Sequence, residues 1–299
     1  MQFQKNKTYF LAGATGTEIQ RRGFPTVLPL WSAQVLFDRP ELLTDIYHDY
    51  IRAGADIITT NTFRTQRRTL AKAGLAHETE RINRLAANLA ISARNAEKNQ
   101  RPVFVAACMT TLEDCYRPDL VPPPAVCAAE HTEQAKLLAQ TAVDFFLLET
   151  FNTIAEAEIA ADAVKRTGKN FVVSFTARAD GNILNGDDWA DALTRLEKFS
   201  PLAVLVNCVP PAVATRALQF LAPNAKARNI PFGVYANGEG TTGGDEGWDF
   251  SKTGSPISTY SKSCKEWYAL GATMIGGCCG TTPKYTEQYT KIIDKFMHT

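Results

Sequence analysis

The sequence predicts a (β/α)8 barrel as a single domain spanning residues 1–299, on three observations. Eight short apolar, β-rich runs recur along the chain. Stretches with helical spacing separate them. No export or membrane-spanning signal and no low-complexity tract interrupts the alternation. The runs are YFLAGA (9–14), DIITTNT (56–62), VFVAAC (103–108), VDFFLLET (143–150), FVVSFT (171–176), LAVLVNC (202–208), FGVYAN (232–237) and ATMIGGC (272–278). Eight strands alternating with helices in 299 residues favour closure into a barrel. Periodicity alone leaves a doubly wound open sheet as the competitor.

The segment PELLTDIYHDYIRAG illustrates the helical spacing. Leu42, Leu43, Ile46, Tyr47, Tyr50 and Ile51 fall on one face, Asp38 and Glu41 stand where a start could be capped, and Gly54 suits the end. In the last segment Thr282 is a candidate cap and Pro283 a candidate first helical residue. Ile292, Ile293, Phe296 and Met297 form the expected apolar stripe. The stretch ANGEGTTGGDEG (236–247) is glycine-rich and acidic, and follows the seventh run directly. It reads either as a plain surface loop or as a lid over a site, because barrel sites lie where βα loops cluster.

Composition narrows the function classes. With 45% hydrophobic and 21% charged residues and a formal net charge of +1, the chain has the profile of a soluble globular protein, without the basic footprint of a nucleic-acid binder or a polybasic membrane patch. No apolar run reaches the roughly 18–20 residues of a membrane-spanning helix. The cytoplasm is the expected compartment, and nucleic acid and membrane are not expected partners. Seven cysteines, an odd number with no export signal, point to thiols, metal ligands or buried filler rather than a disulfide framework.

Three of those cysteines stand apart. Cys208 closes the sixth run, and the adjacent Cys278 and Cys279 close the eighth, with Gly276, Gly277 and Gly280 around the pair. In a parallel barrel the C-terminal ends of all strands share one rim, so the three sulfurs arrive at one mouth. Chance apolar filler, a strained vicinal disulfide and a dithiol redox centre compete with a three-thiolate metal site. Redox centres normally use Cys-x-x-Cys, which is absent here. Thiolates suit zinc, Cu(I) or an iron–sulfur cluster. Three protein ligands with one open position mark catalytic Zn2+, whereas Cys108 as a fourth sulfur would make the site structural. Such a centre deprotonates a fourth, incoming thiol and, carrying net negative charge, favours a cationic alkyl donor such as a sulfonium.

The stretches AGATGTE, GADIITTNTFR, FLLET, VSFT, VNC and GGCCGTTP occur in that order between residues 12 and 283. Together they resemble the homocysteine S-methyltransferase family. The resemblance implies a (β/α)8 barrel that methylates homocysteine to methionine, with Cys208, Cys278 and Cys279 as zinc ligands. By the same resemblance Glu149 in FLLET holds the substrate amino group. It also implicates the backbone of Gly13 and Ala14 in amino-acid contact, Asn237 near the metal, and Asn61 in a shared motif. No catalytic side chain beyond the zinc centre is expected, because a departing thioether needs no proton.

Two departures stand out. Ala12 occupies the position where the family usually has an aspartate, a second carboxylate for the amino group. After the third run the chain reads AACMTTLEDCY instead of Gly-Ser-x-Gly-Pro. The Thr-Phe-Asn that follows Glu149 resembles members using S-methylmethionine or S-adenosylmethionine, so the expected partners are homocysteine and a small sulfonium donor. The rival expectation is a non-catalytic barrel: a structural zinc site, or a thiol-ligand binder altered at position 12.

Overall fold

The computed structural model describes residues 3–4, 7–98, 101–242 and 247–297. Eight parallel strands form its main sheet: β1 (Tyr9–Phe10), β2 (Ile57–Thr59), β3 (Phe104–Thr110), β4 (Phe145–Phe151), β5 (Phe171–Phe175), β6 (Val204–Asn207), β7 (Phe232–Ala236) and β8 (Met274–Gly277). Each coincides with one of the eight apolar runs, β3 continuing two residues past its run to Thr110 and β4 one residue past its run to Phe151. The strands pair in chain order from β2 to β8, and β8 pairs with β1 (Tyr9↔Met274). A parallel bridge from Leu11 to Ile57, with the Ala12 N–H donating to the Ile57 carbonyl at 2.8 Å, joins β1 to β2. That bridge closes the barrel and excludes the open sheet.

Two apolar layers follow from the alternation of side chains along each strand. One set fills the barrel interior, including Tyr9, Leu11, Ile57, Phe145, Leu147, Leu205, Tyr235 and Met274. The other faces the surrounding helices, among them Pro40–Arg52 and Pro283–Met297. The predicted face of Pro40–Arg52 is wholly buried, and Gly54 follows it at φ +106°. The predicted cap is corrected. Arg39 is the capping residue and makes no side-chain cap bond, while Asp38 ends the preceding helix and accepts from Gln34 Nε2 at 2.6 Å. Proline at the first position has no N–H to satisfy, so less capping is needed.

The final helix starts at Pro283 as expected, but its buried face is Tyr285, Thr286, Tyr289, Thr290 and Ile293. Phe296, expected in the stripe, is 49% exposed and packs edge-on with Tyr268; the side chain of Met297 lies outside the described residues. Tyr289 donates to the Leu11 carbonyl, which ties this helix to β1.

At the rim, the loops after β7 and β8 are joined backbone to backbone. Gly238 N–H donates to the Cys279 carbonyl at 2.8 Å and Glu239 N–H to the Gly280 carbonyl at 3.1 Å. Gly280 has φ +75°, and a Cβ there would lie 1.9 Å from the Glu239 oxygen. Gly280→Ala is therefore expected to cost about 3 kcal/mol or more. Gly74 has the same φ with nothing within 4 Å of a built Cβ, so Gly74→Ala should show only the backbone cost of about 1–2 kcal/mol. Urea denaturation of the two variants measures the difference, and equal costs would refute this close contact.

Candidate metal centre and substrate cavity

The C-terminal strand ends open into a cavity of about 620 Å³. Cys208, Cys278 and Cys279 line it, and their sulfurs all lie within 4.8 Å of one another. The Cys208–Cys279 sulfur separation is 3.8 Å. Tetrahedral zinc with Zn–S bonds of about 2.3 Å requires sulfurs about 3.8 Å apart, so the donor set fits that ion.

The local backbone explains how three sulfurs converge. Cys208 follows β6 in the left-handed region at φ +55°, an arrangement that costs a non-glycine residue about 1–3 kcal/mol and that clusters at functional sites. Cys278 and Cys279 lie beyond the end of β8, where strand alternation no longer applies. The Cys278 carbonyl accepts from Thr281 N–H at 3.0 Å and from Thr281 Oγ1 at 2.7 Å, which holds the turn. Of the three glycines around the pair, Gly276 and Gly277 are paired strand residues and Gly280 alone has a positive φ, +75°. Hydrogen bonds from Cys278 and Cys279, with a smaller one from Tyr116, hold the Cys208 thiol well below its usual range against burial. The sharing with Cys208 pushes Cys278 and Cys279 up.

Glu149 reaches the same cavity from β4. Between Leu148 and Phe151 the strand gains one residue over β5, and Thr150 sits at φ +59°. Bulges of this kind re-aim a side chain. Thr150 is tied to the strand end that precedes Cys208, since Asn207 Nδ2 donates to Thr150 Oγ1 at 2.7 Å. Burial pushes the Glu149 carboxyl up to about 7, helped by the charge of Cys208 and opposed by hydrogen bonds from Cys108 and Tyr235.

Cys108 does not join the three convergent sulfurs. Its thiol donates to Glu149 Oε2 at 3.0 Å, and it is absent from the group of convergent sulfurs among the described residues. The other predicted residues fall into three kinds. Asn237 lines the cavity with Oδ1 buried and unpaired among the described residues. Gly13 and Ala14 also line it, but the Ala14 N–H is engaged by Thr281 Oγ1 at 3.2 Å and its carbonyl accepts from Tyr50 at 2.8 Å. Asn61 lines it too, yet its Nδ2 donates to the Ser32 carbonyl at 2.8 Å and its N–H to the Tyr47 hydroxyl at 3.1 Å, so its amide braces the loop.

Sequence reasoning did not single out Tyr116 and Cys115, which the loop after β3 brings to the centre. The Tyr116 hydroxyl lies 3.0 Å from the Cys208 sulfur and donates to the Cys208 carbonyl at 3.2 Å. Burial and the Cys208 charge push the neighbouring Cys115 thiol up. Behind this loop, Glu156 Oε1 accepts the Leu112 N–H at 2.9 Å and lies 3.1 Å from His131 Nε2, both side chains being fully buried. The available signal was the AACMTTLEDCY stretch itself, whose departure from the family pattern falls on these residues.

The acidic loop after β7 is a wall of the cavity. Thr241–Thr242 pairs antiparallel with Trp248–Asp249, and Gln20 holds Trp248 through its backbone N–H at 3.1 Å and carbonyl at 2.7 Å. Residues 243–246, the rest of the stretch read as surface loop or lid, lie outside the described residues.

A sequence model of the homocysteine S-methyltransferase family matches residues 9–293. The chain belongs to that family. It is 30% identical over 295 residues to the homocysteine S-methyltransferase of Escherichia coli K12, covering 93% of each chain. A Bacillus subtilis relative, homocysteine S-methyltransferase YbgG, is 28% identical over 295 residues, covering 93% of this chain and 92% of that one. The crystal structure of the metallated form of the Escherichia coli homocysteine methyltransferase MmuM superposes with a TM-score of 0.83 at 27% identity over 96% of each chain. Among the described residues of this family member, no helix is long and apolar enough to cross a membrane.

Proposed function

We propose that this chain transfers a methyl group from a small sulfonium donor, S-methylmethionine or S-adenosylmethionine, to the sulfur of homocysteine, using Zn2+ held by Cys208, Cys278 and Cys279. The observation that carries the reading is the group of three sulfurs at zinc-compatible spacing on the wall of a cavity large enough for both substrates. Zinc held by that set would supply Lewis acidity, lowering the pKa of an incoming thiol so that its sulfur is a thiolate near neutral pH.

The protein's own groups do the rest. Glu149 offers its carboxylate to the acceptor ammonium, and because Ala12 replaces the expected aspartate it does so without that second acid. The Tyr116 hydroxyl keeps the Cys208 sulfur in place. Trp31, Phe63 and Trp248 contribute apolar walls that exclude water. As the new C–S bond forms, the donor C–S bond breaks and its electron pair stays on a neutral thioether. No proton donor is required, in keeping with the absence of an assigned acid.

A closed structural zinc site is disfavoured by the engagement of Cys108 with Glu149. Incubating the zinc-loaded protein with homocysteine and each donor, and weighing the products by mass spectrometry, tests the reading. Methionine carrying the donor's methyl group is the expected product. Failure to form it with any sulfonium donor, from protein shown to hold one zinc, would overturn the proposal.

A further inference from the structure

The cavity contains a cation that neither the metal centre nor Glu149 explains. Arg64, on the loop after β2, is the one basic residue among the described lining residues. Its guanidinium lies over the Phe63 ring, 5.5 Å from the centroid. Phe63 in turn packs edge-on against Trp31. The side chain is partly buried, its Nε is buried without a hydrogen-bond partner, and it makes no ion pair among the described residues. Every neighbouring arginine of that segment is paired: Arg67 with Glu133, and Arg68 with Glu113 and Glu130. Asp114, the acid lining the same part of the mouth, accepts the Tyr116 N–H at 2.8 Å and leaves Arg64 unpaired.

A half-buried guanidinium with an orphaned donor costs free energy unless an anion from outside completes it. Its place indicates which anion. Arg64 lines the same cavity as Glu149 and the three sulfurs, where the ligands of the proposed reaction are amino acids. We infer that Arg64 is the subsite for the α-carboxylate of an amino-acid substrate. This rests on the methyl-transfer reading, in which acceptor and donor both carry such a group. The planar fork of arginine matches a carboxylate through two parallel hydrogen bonds, and stacking on Phe63 holds the fork in orientation. The carboxylate belongs to homocysteine or to the sulfonium donor, and the two sources separate by experiment.

Zinc-loaded wild type and Arg64→Gln are titrated calorimetrically with homocysteine, with S-methylmethionine, and with the carboxamide of each. Circular dichroism and zinc content establish that the variant is folded and loaded. For the compound whose carboxylate Arg64 takes, the variant should bind the acid roughly 10- to 100-fold more weakly. It should bind the corresponding carboxamide as wild type does, because the interaction is already lost. Loss confined to homocysteine assigns the subsite to the acceptor, and loss confined to S-methylmethionine assigns it to the donor. Unchanged affinity for both acids, or equal losses for acid and carboxamide, overturns the assignment. Wild-type binding and turnover report the methyl-transfer reading separately. If wild type methylates homocysteine while Arg64→Gln binds every compound normally, only the carboxylate subsite fails; if wild type binds neither amino acid, both fail.

Discussion

Replacing Cys208 with alanine is expected to abolish metal retention and to lower kcat/KM for homocysteine methylation by at least about 1000-fold. Two losses combine. A free thiol with pKa about 8.5 is a few per cent ionised at pH 7, so losing metal-assisted deprotonation alone costs roughly 30-fold. Losing the fixed position of the acceptor sulfur costs the larger part, since orientation contributes several kcal/mol to well-placed reactions. Cys108 does not stand ready to replace it, because its thiol is engaged by Glu149. Metal content after dialysis against a chelator and initial rates are the measurements. Cys264→Ala is the control: that thiol is fully buried in the helix Ile257–Ala269, outside the convergent group, and its loss should leave metal content intact. A Cys208→Ala protein that still held one metal and turned over normally would end the three-sulfur account.

Glu149→Gln should change both the strength and the pH dependence of homocysteine binding. At pH 8 the loss of a charge-assisted contact to the ammonium predicts affinity lower by about 1.5–3 kcal/mol. The pH dependence separates this role from a merely structural one. Binding releases the thiol proton, which gives a tenfold loss per unit as pH falls below the thiol pKa of about 8.5. Glu149, pushed up to about 7 chiefly by burial, must also be ionised to receive an ammonium. Below that value its own proton adds a second tenfold loss per unit. Wild-type log Kd should therefore steepen from a slope of about one above pH 7 to about two below it, whereas Glu149→Gln should keep a slope near one throughout. Calorimetry of the zinc-loaded proteins between pH 6 and 8 reads both slopes, and identical slopes would remove Glu149 from ammonium recognition. The raised carboxyl has a consequence for stability as well. Its stabilising contribution is fully present below the ordinary carboxylate range and is lost as pH rises through about 7, and Glu149→Gln should remove that dependence.

The barrel was legible because its signals are local and repeated. Each apolar run is a strand buried on both faces, as parallel sheets require, and the face of Pro40–Arg52 reads directly from its spacing. The convergence of Cys208, Cys278 and Cys279 was legible because strand ends share a rim whatever the details of packing. Other features depended on chain paths that no short window specifies. Asp38 pairs with Gln34 inside an additional short helix instead of capping the next one. Phe296 lies one turn beyond the last buried residue, Ile293, and stays exposed. Tyr116 and Arg64 sit on irregular loops whose course is set by remote partners, such as the Glu156 carboxylate that receives the Leu112 N–H. The bulge at Glu149–Thr150, which aims the acid, contains no glycine or proline to announce it.

Cys208 and its partner Cys279 are 71 positions apart in the chain. During synthesis the first sulfur leaves the ribosome well before its companions, alone and unable to hold an ion by itself. An ion held by all three sulfurs, as proposed above, can therefore be taken up only after the last βα unit has arrived.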